Sequence, residues 1–545
     1  MSDSPYARRI WQQSYPPDAP HEIDMSGCNS LNQLFREAVD KFGERAAFSS
    51  FGAALTFNEV DRLSRDFGAW LQQRVGIGKG DRVAMMAPNT FGFAVGMFGI
   101  IRAGGIQVNV NPMYSPRELR HQLQDADVDT IVIFSGSTPT LAEVVADTPI
   151  ENVVVFGLDD LIERGLPSPP VDARLRRPVA FTDALAEGAD LEFSEPDMNH
   201  DDLVFLQYTG GTTGLSKGAM LTHGNLIANM LQFEAMDDVV EDGKEIVLTA
   251  IPMYHIYALT VNTLSFIKRG GTNVLVTDPR NMETFVKTWA AANPTVTTGV
   301  NTLYNGLLHT PGFSDLDFSA LKFASGGGAP VQKAVSDKWH ALTGDYIKEG
   351  YGLSETSPVV TATPLSEKNY RAGIGLPVPG TEVSLRNDDG AEVPLGEPGE
   401  LCVRGPQVMA GYWRQPEATA EAMTEDGFLK TGDIAVMDEQ GYMQIVDRKK
   451  DMILVSGFNV FPNEIEAELA AMPGVLECAC IGVPDDKTGE AVKVFAVRSD
   501  TAVEAGDVRA WCRERLAGYK VPRHVEFLDE LPKSAVGKIL RRELR

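Results

Sequence analysis

Tyr208-Thr209-Gly210-Gly211-Thr212-Thr213-Gly214-Leu215-Ser216-Lys217-Gly218 follows an apolar segment, Leu203 to Leu206, that reads as a strand. The stretch sets three threonine hydroxyls, four glycines and one ammonium side by side. Glycine permits positive φ and close backbone approach, so successive N–H groups can converge on anionic oxygens. Threonine hydroxyls and a lysine add donors suited to a polyphosphate. Taken alone the stretch is open to two readings, a surface turn or a phosphate loop. It is not the P-loop of the NTPases, where Gly-Lys is followed by Ser or Thr, because Lys217 lies between Ser216 and Gly218.

Working outward, 545 residues exceed what one hydrophobic core organises, so at least two domains are expected. The 43% hydrophobic and 23% charged content is that of a soluble globular protein. Cys28, Cys402, Cys478, Cys480 and Cys512 lack CxxC spacing, which points to buried thiols in a reducing compartment. The N-terminus carries no signal-type apolar run, and the most apolar stretch, Phe91 to Ile101, is too short to span a bilayer. A cytoplasmic protein is expected, with at most a loose peripheral hold on the membrane. The net charge of -26 excludes nucleic acid as a partner. The segment from Arg448 onward balances 16 basic against 16 acidic residues, so all the excess sits on residues 1–447.

From about residue 80 to 350, strand-like and helix-like stretches alternate. Arg82–Met86, Ile106–Val110 and Thr130–Phe134 read as strands, and Phe91–Arg102 and Pro116–Asp125 as helices, the former weakened by Gly92, Gly96 and Gly99. That is the pattern of doubly wound α/β sheets. Between about 371 and 447, short apolar runs are broken by Asp388-Asp389-Gly390, Asp426-Gly427 and Glu439-Gln440-Gly441, which predicts a small β-rich subdomain. The charge run Asp447 to Asp451 reads as a linker, and residues 448–545 as a small α+β domain.

The Thr/Gly run, Tyr351-Gly352-Leu353-Ser354-Glu355, Thr431-Gly432-Asp433 and Pro532-Lys533-Ser534-Ala535-Val536-Gly537-Lys538 together resemble the adenylate-forming (AMP-binding) enzymes, in order and at the spacing of that family. The resemblance covers nearly the whole chain. It implies a large N-terminal domain, 1–447, capped by a mobile C-terminal domain, 448–545, and activation of a carboxylic acid by ATP. The substrates and cofactors implied are ATP, Mg²⁺ and CoA. Carried over position by position, Tyr208, Thr209, Gly210, Gly211, Thr212, Thr213, Gly214 and Lys217 would cradle phosphates, with Thr209 and Glu355 at the metal. Gly326, Gly327, Gly328 and Ala329, with Glu349, Gly350, Tyr351 and Gly352, would line the adenine site. Ser354 keeps a hydroxyl where the family mostly has Thr, and Asp433 and Arg448 would hold the ribose. Lys538 would reach the carboxylate and α-phosphate, and His255 would sit near the acyl carbonyl, a structural histidine being its competitor. Lys450 would be the hinge, and Gly457, Phe458 and Lys520 would meet CoA. Lys533 is expected at the surface, and Arg541, Arg542 and Arg545 as a solvated basic terminus.

Asp426 to Lys450, DGFLKTGDIAVMDEQGYMQIVDRKK, resembles the fatty acyl-CoA synthetases, with departures at Phe428, usually Trp, and Lys430, usually His. FLQYTGGTTG, TGVNTLYN, VSGFNVFPNEIE and LPKSAVGKILRREL resemble the bacterial long-chain fatty acid:CoA ligases in particular. The resemblance implies a fatty-acid partner in a tunnel around Met253 to Phe266 and Thr298 to Leu308, and leaves a homodimer open. A ligase for medium-chain, short or aryl acids is the alternative. A catalytically silent nucleotide sensor is the alternative from another class, and it predicts loss of Lys538, Glu355 or the Thr-rich loop.

Overall fold

The computed structural model describes residues 4–209 and 216–545. Gly210, Gly211, Thr212, Thr213 and Gly214 therefore lie outside the described residues. Among those described, two large sheets carry the bulk of the chain. An eight-stranded sheet is built around Leu203–Thr209, Ile106–Val110, Arg82–Met86, Thr130–Phe134 and Asn152–Phe156, all parallel. A nine-stranded sheet has a parallel centre running through Lys348–Gly352, Phe323–Gly326, Val296–Gly299, Ile246–Thr249, Thr272–Leu275 and Ala46–Ser50. Strands of this kind are buried on both faces, which explains their continuous apolar runs. Open parallel sheets bind ligands beyond the carboxyl ends of their strands, and Gly299, Gly326 and Gly352 all stand at such ends.

The helix Phe91–Arg102 is buried along its whole length. Its glycines, read from sequence as a weakness, are close-approach sites. A Cβ on Gly92 would meet the Phe156 ring at 2.6 Å, on Gly96 the Met85 methyl at 2.5 Å, and on Gly99 the Phe67 ring at 2.7 Å. The helix gives up propensity and gains dense packing.

A four-stranded antiparallel sheet, Glu382–Arg386, Gly399–Arg404, Leu429–Met437 and Met443–Arg448, carries Asp433 and Arg448 as register partners. Here Phe428 lies between two guanidiniums, Arg404 at 4.4 Å and Arg386 at 4.7 Å from the ring centre, so the smaller ring still serves as a cation–π platform. Lys430 is exposed. The N-terminal segment straps this sheet to its neighbours. Trp11 is fully buried, Tyr6 donates its hydroxyl to the Val393 carbonyl, and Tyr15 donates to Pro377. Gly441 has φ +87, and a Cβ there would fall 2.3 Å from the Trp11 Cα.

A five-stranded sheet follows. It holds Ile453–Val455, Phe458–Val460, Val475–Asp485, Gly489–Arg498 and His524–Phe527, packed by the helices Pro462–Ala470 and Ala505–Arg515. All five cysteines are free, and all but Cys28 are buried. No helix among the described residues is long and apolar enough to cross a membrane.

Candidate active site

One cleft of about 2160 Å³ opens between the strand ends of the large sheets, the four-stranded sheet and the C-terminal sheet. Its walls include Tyr208, Thr209, Lys217, His255, Gly327, Gly328, Ala329, Glu349, Tyr351, Ser354, Glu355, Asp433, Arg448, Lys450 and Lys538. Residues more than 300 positions apart in sequence thus meet in one place.

Thr209 and Lys217 are register partners on adjacent antiparallel strands, so both ends of the Thr/Gly run face the cleft together. Tyr208 is anchored below them. Its hydroxyl donates to Asp125 at 2.6 Å, which makes it a strut for the run's first residue. The Lys217 ammonium sits 5.0 Å from the centre of the Tyr412 ring. Tyr412 in turn donates to Glu355 Oε1 at 2.8 Å. Burial pushes the Glu355 carboxyl up, and the Tyr412 hydrogen bond opposes this. Lys217, Tyr412 and Glu355 thus form one charged wall, whose middle member has no motif signature. No cluster of three or more acidic, His or Cys ligands occurs among the described residues.

On the opposite wall, Tyr351 donates its hydroxyl to Asp433 Oδ2 at 2.6 Å, and Arg448 Nε lies 3.4 Å from Asp433 Oδ1. A buried carboxylate is costly without partners, and Asp433 has two. Gly352 admits no side chain, since a Cβ would fall 1.8 Å from the Pro358 carbonyl oxygen. Gly326 is wedged against Val331, Gly327 lies under the Tyr257 ring, and Gly328 has φ +76. Glu349 accepts from the Val331 N–H at 3.0 Å and so braces this glycine turn from below. Burial lifts its carboxyl to about 8.

Lys538 enters from the far side on a loop closed by Ser534 N–H to the Lys538 carbonyl at 2.8 Å. Thr302 donates to the Gly537 carbonyl at 2.8 Å and Asn305 to Leu476 at 3.1 Å, docking the C-terminal part onto the helix Asn301–Leu308. Burial lowers the Lys538 ammonium to about 7. Arg448, Arg541 and Lys450 act in the same direction, and Asp433 opposes them. Burial, then the nearby Lys538, hold His255 at about 4, so it is a neutral imidazole at physiological pH. Its Nδ1 accepts from the Tyr257 N–H at 3.3 Å. Ile256, Tyr257, Val261 and Phe233 also line the cleft and make up its apolar arm. Val261 lies on the wide π-turn Ala258–Leu264.

Three expected residues stand elsewhere. Gly457, Phe458 and Lys520 do not line the cleft. Lys520 is paired with Glu464 at 2.6 Å, and the exposed Phe458 stacks on Tyr519 at 4.8 Å. The basic terminus needs correction. Arg541 is largely buried and bonded to Asp447, Glu466 and Asn463, and Arg545 pairs with Asp451. Three carboxylates within reach explain why Arg541 folds inward, while Arg542 and Arg545 stay exposed as expected. Lys533 is half-buried and paired with Glu477 at 2.8 Å, not free at the surface.

The AMP-binding enzyme family matches residues 35–413, and the AMP-binding enzyme C-terminal domain matches residues 464–538. The chain is 49% identical over 550 residues to a long-chain-fatty-acid–CoA ligase of Escherichia coli O6:H1, covering 99% of this chain and 98% of that protein. It is 37% identical over 498 residues to a feruloyl-CoA synthase of Amycolatopsis sp, covering 91% and 94%. Among solved structures, ATP-bound MatB from Rhodopseudomonas palustris superposes with a TM-score of 0.83 at 31% identity, over 95% of this chain and 98% of that one. Apo MatB, at the same identity and coverage, gives 0.72.

Proposed function

The chain belongs to the AMP-binding enzymes, and from that premise we propose that it joins a long-chain fatty acid to CoA in two steps within this cleft. A carboxylate oxygen attacks the α-phosphorus of ATP and pyrophosphate leaves, giving an acyl-adenylate. The CoA sulfur then attacks the acyl carbon, its proton is lost to solvent, and AMP leaves. The observation that carries this reading is the convergence of Lys538, the Glu355–Tyr412–Lys217 wall and the Tyr351–Asp433–Arg448 wall on one space.

In the first step negative charge grows on the α-phosphoryl oxygens, where a positioned cation is worth most. Lys538 is placed for that task. Asp433 would accept from the ribose hydroxyls, with Arg448 beside it, while the Gly326 to Ala329 turn leaves room for the adenine against Tyr351. The Thr209 to Lys217 run would hold the terminal phosphates. Glu355, a partly buried carboxylate with one hydrogen-bonded oxygen, fits a Mg²⁺ ion, which favours one or two carboxylates completed by phosphate oxygens. Bound there with the Thr209 hydroxyl, that ion would offset phosphate charge. The apolar arm from Ile256 to Phe233 would take the alkyl chain, each buried CH₂ contributing about 0.8 kcal/mol. With a net charge of -26, and no helix among the described residues long and apolar enough to cross a membrane, any hold on a bilayer would be loose and salt-insensitive.

The test is AMP release with CoA across unbranched acids of about four to eighteen carbons, with ferulate and benzoate beside them. A rise of roughly fourfold in kcat/KM per added CH₂ is expected until the arm is full. A preference for the aryl acids would overturn the fatty-acid reading and leave the ligase chemistry.

A further inference from the structure

Arg541 makes contacts on both sides of the linker at Lys450. On the C-terminal side its guanidinium grips Glu466 with two bonds, Nε to Oε1 at 3.0 Å and Nη2 to Oε2 at 2.7 Å, and Nη2 also donates to Asn463 Oδ1. Glu466 is itself fixed by the Cys480 N–H at 2.7 Å, on the neighbouring strand. On the other side Nη1 donates to Asp447 Oδ1 at 3.0 Å. Asp447 pairs with Ile434 inside the four-stranded sheet, so it belongs to the body that carries Asp433 and Arg448.

The Asp447 carboxylate is fully buried and saturated from both sides. Its Oδ1 accepts from Arg448 N–H at 2.7 Å and its Oδ2 from Asn463 N–H at 2.9 Å. Asn463 returns a bond to the Val446 carbonyl at 3.2 Å. Asp451 adds a carboxylate 3.7 Å from Arg541, and Arg545 pairs with it. A bidentate fork fixes orientation as well as charge.

We propose that Arg541 is a positioning residue for adenylate formation, bridging Glu466 to Asp447 across the linker so that Lys538, three residues before it, is held in the cleft against Asp433 and Arg448. This rests on the ligase reading above. The bridge belongs to the arrangement seen here, which resembles ATP-bound MatB more than apo MatB. A chain that turns about Lys450 has to give up the Asp447 bonds while keeping those to Glu466.

The test uses the full chain with Arg541→Gln, Asp447→Asn and the double variant. Acid-dependent pyrophosphate–ATP exchange is expected to fall by about a hundredfold, the scale of a misplaced catalytic group. Thioester formation from supplied acyl-adenylate and CoA stays within about twofold, and the double variant is no worse than either single one. Equal damage to both half-reactions, or additive damage in exchange, overturns the proposal in favour of a plain folding role. Hydrogen exchange without substrates provides a second readout. In Arg541→Gln the amides of residues 446–466 are expected to exchange faster on both sides of Lys450, and unchanged rates there overturn the bridge. Wild-type protein with no acid-dependent exchange would instead overturn the ligase reading, leaving hydrogen exchange to decide the bridge.

Discussion

Burial brings the Lys538 ammonium down to about 7, with Arg448 as the next contributor. Below that pH the lysine of the free protein is charged, and above it neutral. Adenylation kcat/KM for ATP, which reports the free protein, is therefore expected to fall as pH rises through about 7. With ATP in the cleft its phosphates favour the ammonium, so the same limb in kcat should move to higher pH. Lys538→Arg stays charged and should flatten the limb. A wild-type kcat/KM that is level from about pH 6 to 9 would refute the assignment. Glu355→Ala should lower exchange by roughly 10²–10³, partly recovered by added Mg²⁺, whereas Tyr412→Phe, which removes only a hydrogen bond, should cost far less. Wild-type turnover of Glu355→Ala at limiting Mg²⁺ would take that residue out of the site. Most of these residues were legible in the sequence, because glycines, a mobile lysine and isolated carboxylates at family spacing leave few alternatives. Tyr412 and Arg541 were not legible. A tyrosine on a two-residue strand and a basic terminus acquire meaning only from partners such as Glu355, Asp447 and Glu466, which lie far away in the chain.

Strands and helices of the large sheets follow the alternation in the sequence closely, as at Arg82–Met86 and Ile106–Val110. Apolar β-branched runs between turn signals have few other stable solutions. The glycines of Phe91–Arg102 carry the opposite meaning from the one propensity suggests, since propensity is blind to what faces a helix. Gly92→Leu should therefore cost about 3 kcal/mol, at the upper end for overpacking a core, because the rigid Phe156 ring already occupies the space. The control is Gly506→Ala, in the helix Ala505–Arg515, where a Cβ meets nothing within 4 Å. It should be neutral or add about 0.5–1 kcal/mol. Urea unfolding followed by tryptophan fluorescence checks both, and equal midpoints would refute the packing account. The π-turn Ala258–Leu264 had no sequence signal, because a single widened turn leaves the apolar spacing nearly unchanged.

For the whole molecule, the proposed function expects two lysines to divide the work. Lys538→Ala should abolish adenylation yet still make thioester from supplied acyl-adenylate and CoA, since the second step attacks the acyl carbon and no longer passes through a transition state at the α-phosphorus. Lys450→Pro, with φ fixed at roughly −65°, should form acyl-adenylate and pyrophosphate but stall at the thioester. Quenched-flow measurement of both products separates the outcomes, and damage to the same step by both substitutions would refute the division. Which arrangement of the two parts the chain adopts was not legible in the sequence. It depends on interfaces such as Thr302 with Gly537, which join residues far apart in the chain and leave no local pattern. The strap that buries Trp11 lies ahead of residue 35, where the family match begins. None of its described residues lines the cleft, yet it clasps Val393, Pro377 and Gly441, flanking the strands that present Asp433 and Arg448. The border of the family match and the border of mechanical dependence therefore differ on this chain. An excision made at residue 35 would keep every reactive atom while unfastening the sheet on which the sugar would rest.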